Sequence, residues 1–287
     1  TPALLECIGI AGKKRGEIMD NDEKTVLQEK FDKVKDLRPI DDVFFEVLAE
    51  DPLVCQEILR TILGDDKLVV NDVIVQSSER NLYGRSVRLD ALCTLGDGTK
   101  CNIEVQRSDN DDHLRRVRFN ASSITVKESE KGTKFKEIPD LIVVYISQFD
   151  IFGKGKTTYH VDKVIRETGT IVDDGLTEIF VNTEINDGTT IARLMEQFTK
   201  TKVEDNEFPE LTRRVKFLKG TEGGVNAMCD VMERYEKIAA DKAAAETAFK
   251  SNVTAIKNML DFNIPKEKIL TKYTQEEFDT AMAELKK

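Results

Sequence analysis

The stretch Val87–Arg107, VRLDALCTLGDGTKCNIEVQR, decides how this chain folds. Val87, Leu89, Ala91, Cys93 and Leu95 alternate with Arg88, Asp90, Leu92 and Thr94, and after Gly96-Asp97-Gly98 a second alternation runs through Cys101, Ile103 and Val105. Period two reads as two strands, and the glycine-rich break supplies the φ > 0 position of a hairpin loop. With Gly96 to Gly98 as the loop, opposing residues place Asp90 across from Glu104 and Leu92 across from Asn102. Two carboxylates facing each other roughly 5 Å apart are destabilising unless a cation sits between them or one acid keeps its proton. A hard divalent ion such as Mg²⁺ is one remedy, because it takes oxygen ligands and keeps several waters. The other reading is an exposed hairpin whose acids are simply solvated.

Outward from the hairpin, Asp41-Asp42 precedes the apolar Val43–Leu48 like an acid cap on a helix start, and Pro52 marks the next break. Leu53–Leu63 reads as a second helix with Leu53, Ile58, Leu59 and Ile62 inward, closed by Gly64. Val69–Gln76 is β-rich, His113 to about Val126 reads as a helix carrying Arg115, Arg116 and Arg118, and Leu141–Ile146 is apolar enough for a strand covered on both faces. Thr157–Ile165 and Leu176–Val181 are shorter strand candidates around the turn-rich Thr168–Gly175. From Thr190 the pattern turns helical: Ile191–Phe198, Leu211–Leu218, a long Ala/Glu/Lys-rich run Val225–Phe249, then Asn252–Phe262 and Gln275–Leu285. This order predicts an α/β core with helices on a mixed sheet. The expected division is an N-terminal arm over residues 1–37, a core over 38–188 and a helical C-terminal region over 189–287.

The chain's 287 residues suffice for one good core with an appendage, or two modest domains. No run approaches a membrane span or a secretory leader, and Thr1-Pro2-Ala3 reads as a trimmed start. Cysteines 7, 55, 93, 101 and 229 lack paired ligand spacing and suit reduced, buried thiols of a cytoplasmic protein. With His113 and His160 far apart, zinc is disfavoured. A formal charge of −10 argues against non-specific wrapping of nucleic acid but leaves room for a local basic groove. Gly153-Lys154-Gly155-Lys156-Thr157 lacks the spacing of a phosphate loop and follows no strand-to-helix junction, so no nucleotide cofactor is expected.

Arg88-Leu89-Asp90 and Asn102–Arg107 resemble the PD-(D/E)xK nuclease superfamily, more narrowly the PD-(D/E)xK nuclease family transposases related to recombination-promoting nucleases. Asp42-Val43-Phe44, Gly98, the helix His113–Asn120, the strand Ile142–Ile146 and Met232–Tyr235 extend the likeness over roughly residues 38 to 250. The resemblance implies a restriction-endonuclease-like core and a metal-dependent endonuclease hydrolysing double-stranded DNA, linked to recombination or mobile elements. It implies that Asp90 and Glu104 hold Mg²⁺ or Mn²⁺, with the Val105 carbonyl as a further ligand and Asp42 as either a third acid or a helix cap. Gln106 falls where such nucleases carry lysine. An amide orients water but neither takes its proton nor presents charge. Arg115 and Arg118 share one helix face and are expected at the phosphate, with Arg116 turned away and surface pairing to Asp109, Asp111 and Asp112 as the alternative. Arg88 shares the face of Asp90 and joins Arg115 and Arg118 as a phosphate-binding candidate, with tempering of the acids' field or a plain place at the sheet edge as its other readings. The helical C-terminal region is assigned to docking or homodimer formation, and a catalytically weak member of the same fold, binding nucleic acid or protein, is the competing reading.

Overall fold

A computed structural model of the chain describes residues 21–80, 86–110, 112–129, 132 and 134–285; residues 1–20 of the expected arm, with Cys7, and Asp111 lie outside them. Ser86–Leu95 (β2) and Lys100–Gln106 (β3) pair antiparallel with Ala91 opposite Ile103, Leu92 opposite Asn102 and Cys93 opposite Cys101, the register that the alternation predicts. Gly98, at φ 92°, takes the left-handed position that a residue with a Cβ resists.

Val70–Arg80 (β1), longer than the run read from sequence, pairs antiparallel with β2. Leu141–Ser147 (β4) lies parallel to β3, Leu176–Asn182 (β8) parallel to β4, and Thr158–Val161 (β5) antiparallel to β8. The six strands follow the order β1-β2-β3-β4-β8-β5, so the sheet is mixed. Val143, Val144, Tyr145 and Ile146 of β4 are all buried, as its continuous apolar run requires. Lys163–Ile165 (β6) and Thr170–Val172 (β7) form a separate exposed two-stranded ribbon, so the strand candidate Thr157–Ile165 divides into β5 and β6 and the turn-rich Thr168–Gly175 holds β7.

Helices cover the sheet. Asn21–Val34 (α1) buries Leu27, Phe31 and Val34. Asp42–Ala49 (α2) buries Phe44, Phe45, Val47 and Leu48. In Pro52–Leu63 (α3) the Asp51 carboxylate accepts the Leu53 N–H at 3.1 Å and Gly64 closes the helix at φ 68°. Leu53 is 48% exposed; it stands on the outer side of the first turn, and Val54 and Cys55 join Ile58, Leu59 and Ile62 inward. His113–Glu128 (α4), capped by Asp112 on the Arg115 N–H, packs Val117, Ala121 and Ile124 against Leu92, Val143, Tyr145 and Phe180.

Thr190–Phe198 (α5) and Pro209–Gly220 (α6) begin the helical region where expected. The first compact unit nevertheless runs through Val231, because α3 supplies the Glu57 carboxylate that accepts the Glu210 and Leu211 N–H groups opening α6. At the other end of α6, the Lys219 ammonium donates to the carbonyls of Lys35, Leu37 and Thr201 and stands 5.2 Å from the Phe44 ring centre. Glu222–Asp261 (α7) is one 40-residue helix where sequence suggests two, since no glycine or proline interrupts Val225–Asp261. The second unit, residues 232–287, gathers Val253, Ile256, Ile269, Phe278 and Ala281 from α7, Lys266–Ile269 (α8) and Gln275–Leu285 (α9). Cys55, Cys93, Cys101 and Cys229 are buried free thiols. None of the described helices is long and apolar enough to cross a membrane.

Candidate active site

The β2–β3 ladder is recorded as far as Ala91 opposite Ile103, and the next positions are tied by side chains. Asp90 Oδ2 accepts the Val105 N–H at 2.9 Å, and Glu104 Oε1 accepts the Asp90 N–H at 3.3 Å. The two carboxylates thus hold the strands together while standing side by side. Asn102, two residues before Glu104 and therefore on its face, donates Nδ2 to Glu104 Oε1 at 2.9 Å and to the Ala91 carbonyl at 3.1 Å. The solvated-hairpin alternative fails at this point, because Glu104 is 5% exposed.

Burial pushes both acids up: Asp90 to about 7, and Glu104 well above its usual range, with Asp90 adding like-charge repulsion. Asp42, at the start of α2, is also raised by burial, and its charge further raises Asp90. The Asp42 carboxylate is drawn partly back down by its own backbone N–H and by Arg116. The cap position belongs to Asp41, whose side chain does not cap: it accepts Arg38 Nη2 at 2.9 Å and pairs with Arg107 Nη1 at 3.1 Å.

These residues fit a hard divalent cation. Asp90 Oδ1 and Glu104 Oε2 receive no hydrogen bond among the described residues, and an ion between them would relieve the repulsion that raises both acids. Among the described residues, no three His, Cys, Asp or Glu side chains gather closely enough to form an all-protein cage. Two carboxylates supplemented by water or backbone oxygen is the ordinary habit of Mg²⁺.

Gln106, at the end of β3, is engaged at both ends of its amide: Nε2 donates to the Ser108 carbonyl at 2.7 Å, and Oε1 accepts from Arg116 Nη1. Arg116 is the arginine that α4 turns toward the acids, and its positive charge acts on Asp42, Asp90, Glu104 and Tyr145. Arg115 and Arg118, the pair expected at the phosphate, instead line a groove of about 890 Å³ on another side of α4, with Leu114, Val126 and Phe135. Arg115 there pairs with Asp112 at 3.1 Å. The physical reason is the rotation of α4 fixed by Val117, Ala121 and Ile124. His113 and Asn120 are buried with them, and Arg116 stands one turn from each along that edge of the helix. Arg88 lies 3.6 Å from Glu46 Oε2, and its charge draws Asp90 back down. Val105 is buried, with its N–H on Asp90.

Sequence reasoning missed four neighbours. Asn102 orients Glu104. Glu46, one helical turn beyond Asp42, meets Arg88 from α2. Tyr145 lies beside Glu104 in the parallel register, and burial pushes its phenol up to about 12. His113 links Tyr145, at 3.0 Å from Nδ1, to Asp109, at 3.0 Å from Nε2. The spacing of His113, Arg116 and Asn120 at i, i+3 and i+7 was the available signal for Arg116.

A mixed six-stranded sheet flanked by helices, with paired acids where the β2–β3 ribbon opens, is an α/β fold of the restriction-endonuclease-like class. The family model described as PD-(D/E)XK nuclease family transposase matches residues 43–234, and the chain belongs to that family. No curated protein and no solved structure matches the chain.

Proposed function

We propose that the chain is a metal-dependent endonuclease that hydrolyses phosphodiester bonds of double-stranded DNA, in the setting of recombination or mobile elements. The observation that carries this reading is the convergence of Asp90 and Glu104, two buried carboxylates joined through their own backbone groups and both pushed toward protonation. Asp90 and Glu104, with the Val105 carbonyl and Asp42 as further oxygen donors, would hold Mg²⁺ or Mn²⁺. The ion supplies charge neutralisation and Lewis acidity at the phosphate.

The chain's own residues carry the rest. Asn102 fixes the Glu104 carboxylate through its 2.9 Å bond. Arg116 brings the positive charge that the amide of Gln106 lacks, and its contact with Gln106 sets it at the position a lysine would serve. Arg88 tempers the field at Asp90, and Arg115 and Arg118 are left for more distant phosphates of the duplex.

A second reading has its own support. With both ends of the Gln106 amide engaged, that side chain is restrained from turning toward a water, which suits a catalytically weak module that binds nucleic acid or protein. Nicking of supercoiled plasmid in Mg²⁺ or Mn²⁺ by the intact chain and by Glu104→Ala decides between the two. Metal-dependent nicking lost in the variant supports the enzyme; equal nicking in both, or none in either, overturns it.

A further inference from the structure

The glycine- and lysine-rich segment after β4 is a built structure whose role the acids do not explain. Asp150 lies at its root and folds the chain around its carboxylate, accepting the N–H groups of Phe152 at 3.2 Å, Gly153 at 3.0 Å and Gly155 at 2.8 Å. The Tyr159 hydroxyl donates to the same carboxylate at 2.8 Å and accepts the N–H groups of Lys154 at 3.2 Å and Lys156 at 3.1 Å. Five consecutive backbone donors, residues 152 to 156, are thereby satisfied from within. Gly153 and Gly155, at φ 61° and 68°, permit the path.

A consequence is that the backbone here cannot cradle a phosphate, because the protein's own carboxylate fills the concavity that a phosphate would enter. What the loop presents outward is Lys154 and Lys156, both exposed, on either side of Gly155, with no carboxylate partner among the described residues. The loop is also rooted at the candidate site. The Gln148 N–H donates to the Gln106 carbonyl at 2.9 Å, and the Phe149 ring lies 4.9 Å from that of His113. Phe152 packs on Tyr159 and Phe180 at ring distances of 4.8 and 5.3 Å, so the loop is tied down on its inner side.

We propose that Lys154 and Lys156 form a preorganised clamp for the DNA backbone beside the paired acids. The inference rests on the nuclease reading above and names a surface through which the duplex is held. A chain of net charge −10 repels DNA in general, so duplex must be met by local positive charge. Ordering a flexible loop on binding costs conformational entropy, and a loop already fixed by Asp150 and Tyr159 avoids that loss.

The test is binding of a fluorescent duplex oligonucleotide in Ca²⁺ across a salt series, with the intact chain, Lys154→Gln/Lys156→Gln, and a control, Lys237→Gln/Lys242→Gln, that removes equal charge from an exposed part of α7. The clamp predicts that the slope of log affinity against log salt is about 1.8 shallower in the loop variant alone, at about 0.9 per phosphate contact. An unchanged slope in the loop variant, or an equal loss in the control, overturns the clamp while the nuclease reading stands. No duplex binding by the intact chain, together with no nicking in Mg²⁺, overturns both.

Discussion

Glu104 Oε1 accepts the backbone N–H of Asp90 at 3.3 Å, so one acid of the pair holds the main chain of the other in place. The geometry of the site is therefore part of the hairpin's own hydrogen bonding, and changes to either acid act on stability as well as on chemistry.

With Asp90 raised to about 7 and Glu104 raised in the same sense, the native state keeps protons that the unfolded chain has released. For Asp90 there is no difference below the unfolded value near 3.8; as pH rises from there to about 7 it withdraws stability, and above that its effect levels off, with Glu104 acting in the same direction. Asp90→Asn is expected to melt higher than the parent in EDTA at pH 7.5, by on the order of 2 kcal/mol, with the advantage vanishing near pH 4. Identical pH slopes for the two proteins in thermal melts would refute the assignment.

Cation binding must displace those protons. Mn²⁺ affinity measured by calorimetry is expected to strengthen as pH rises, by about tenfold per pH unit for each proton displaced, and to disappear in Asp90→Ala. A pH-independent affinity between pH 6 and 8 counts against binding at this pair.

Arg116 and its neighbours make a sharp contrast. Arg116→Ala is expected to lower plasmid nicking about a hundredfold by removing the cation that faces the acids, whereas Arg115→Ala and Arg118→Ala stay within a few fold. Equal losses in all three variants would mean that the orientation of α4 does not sort their roles.

Gln106→Lys places a second cation against the Arg116 guanidinium, since Arg116 donates to this side chain. The expected result is no gain, or a fall, in nicking, with recovery in the double variant Gln106→Lys/Arg116→Ala. Rate analysis of the double-mutant cycle reads the coupling, and strict additivity would deny it.

Lys219→Met leaves the carbonyls of Lys35, Leu37 and Thr201 without their shared donor and removes the cation from the Phe44 ring, on the helix that starts with Asp42. A loss of about 2 kcal/mol is expected from urea midpoints. An unchanged midpoint would show that water replaces the ammonium at all three.

The hairpin register, and with it the facing of Asp90 and Glu104, was legible because a glycine loop and two alternating runs leave one pairing that keeps every apolar residue on its face. The buried β4 strand announced itself in the same way. The rotation of α4 was not legible: Arg115, Arg116 and Arg118 are chemically equivalent in the sequence, and only the packing of Val117, Ala121 and Ile124 on the sheet decides which of them faces the acids. Whether Asp42 serves as a third acid or a helix cap was not legible either, since only the folded chain shows the cap position falling on Asp41, which Arg38 and Arg107 hold. The apparent break near residue 250 was a misreading of composition, since nothing there stops a helix. The β7 strand escaped notice because it is three residues long, too short for a period to show, and β6 was read as one strand with β5.

Cys93 and Cys101 face one another across the same hairpin, and the Cys55 thiol on α3 donates to the Ala49 carbonyl at 3.4 Å. The neighbouring Cys93 and burial raise the Cys55 thiol, and burial raises Cys101, so neither forms appreciable thiolate while the sheet is closed. Alkylation of Cys55 or Cys101 by a maleimide therefore times the moments at which this sheet comes apart, and a ligand seated between the two acids would be felt there as a slower clock.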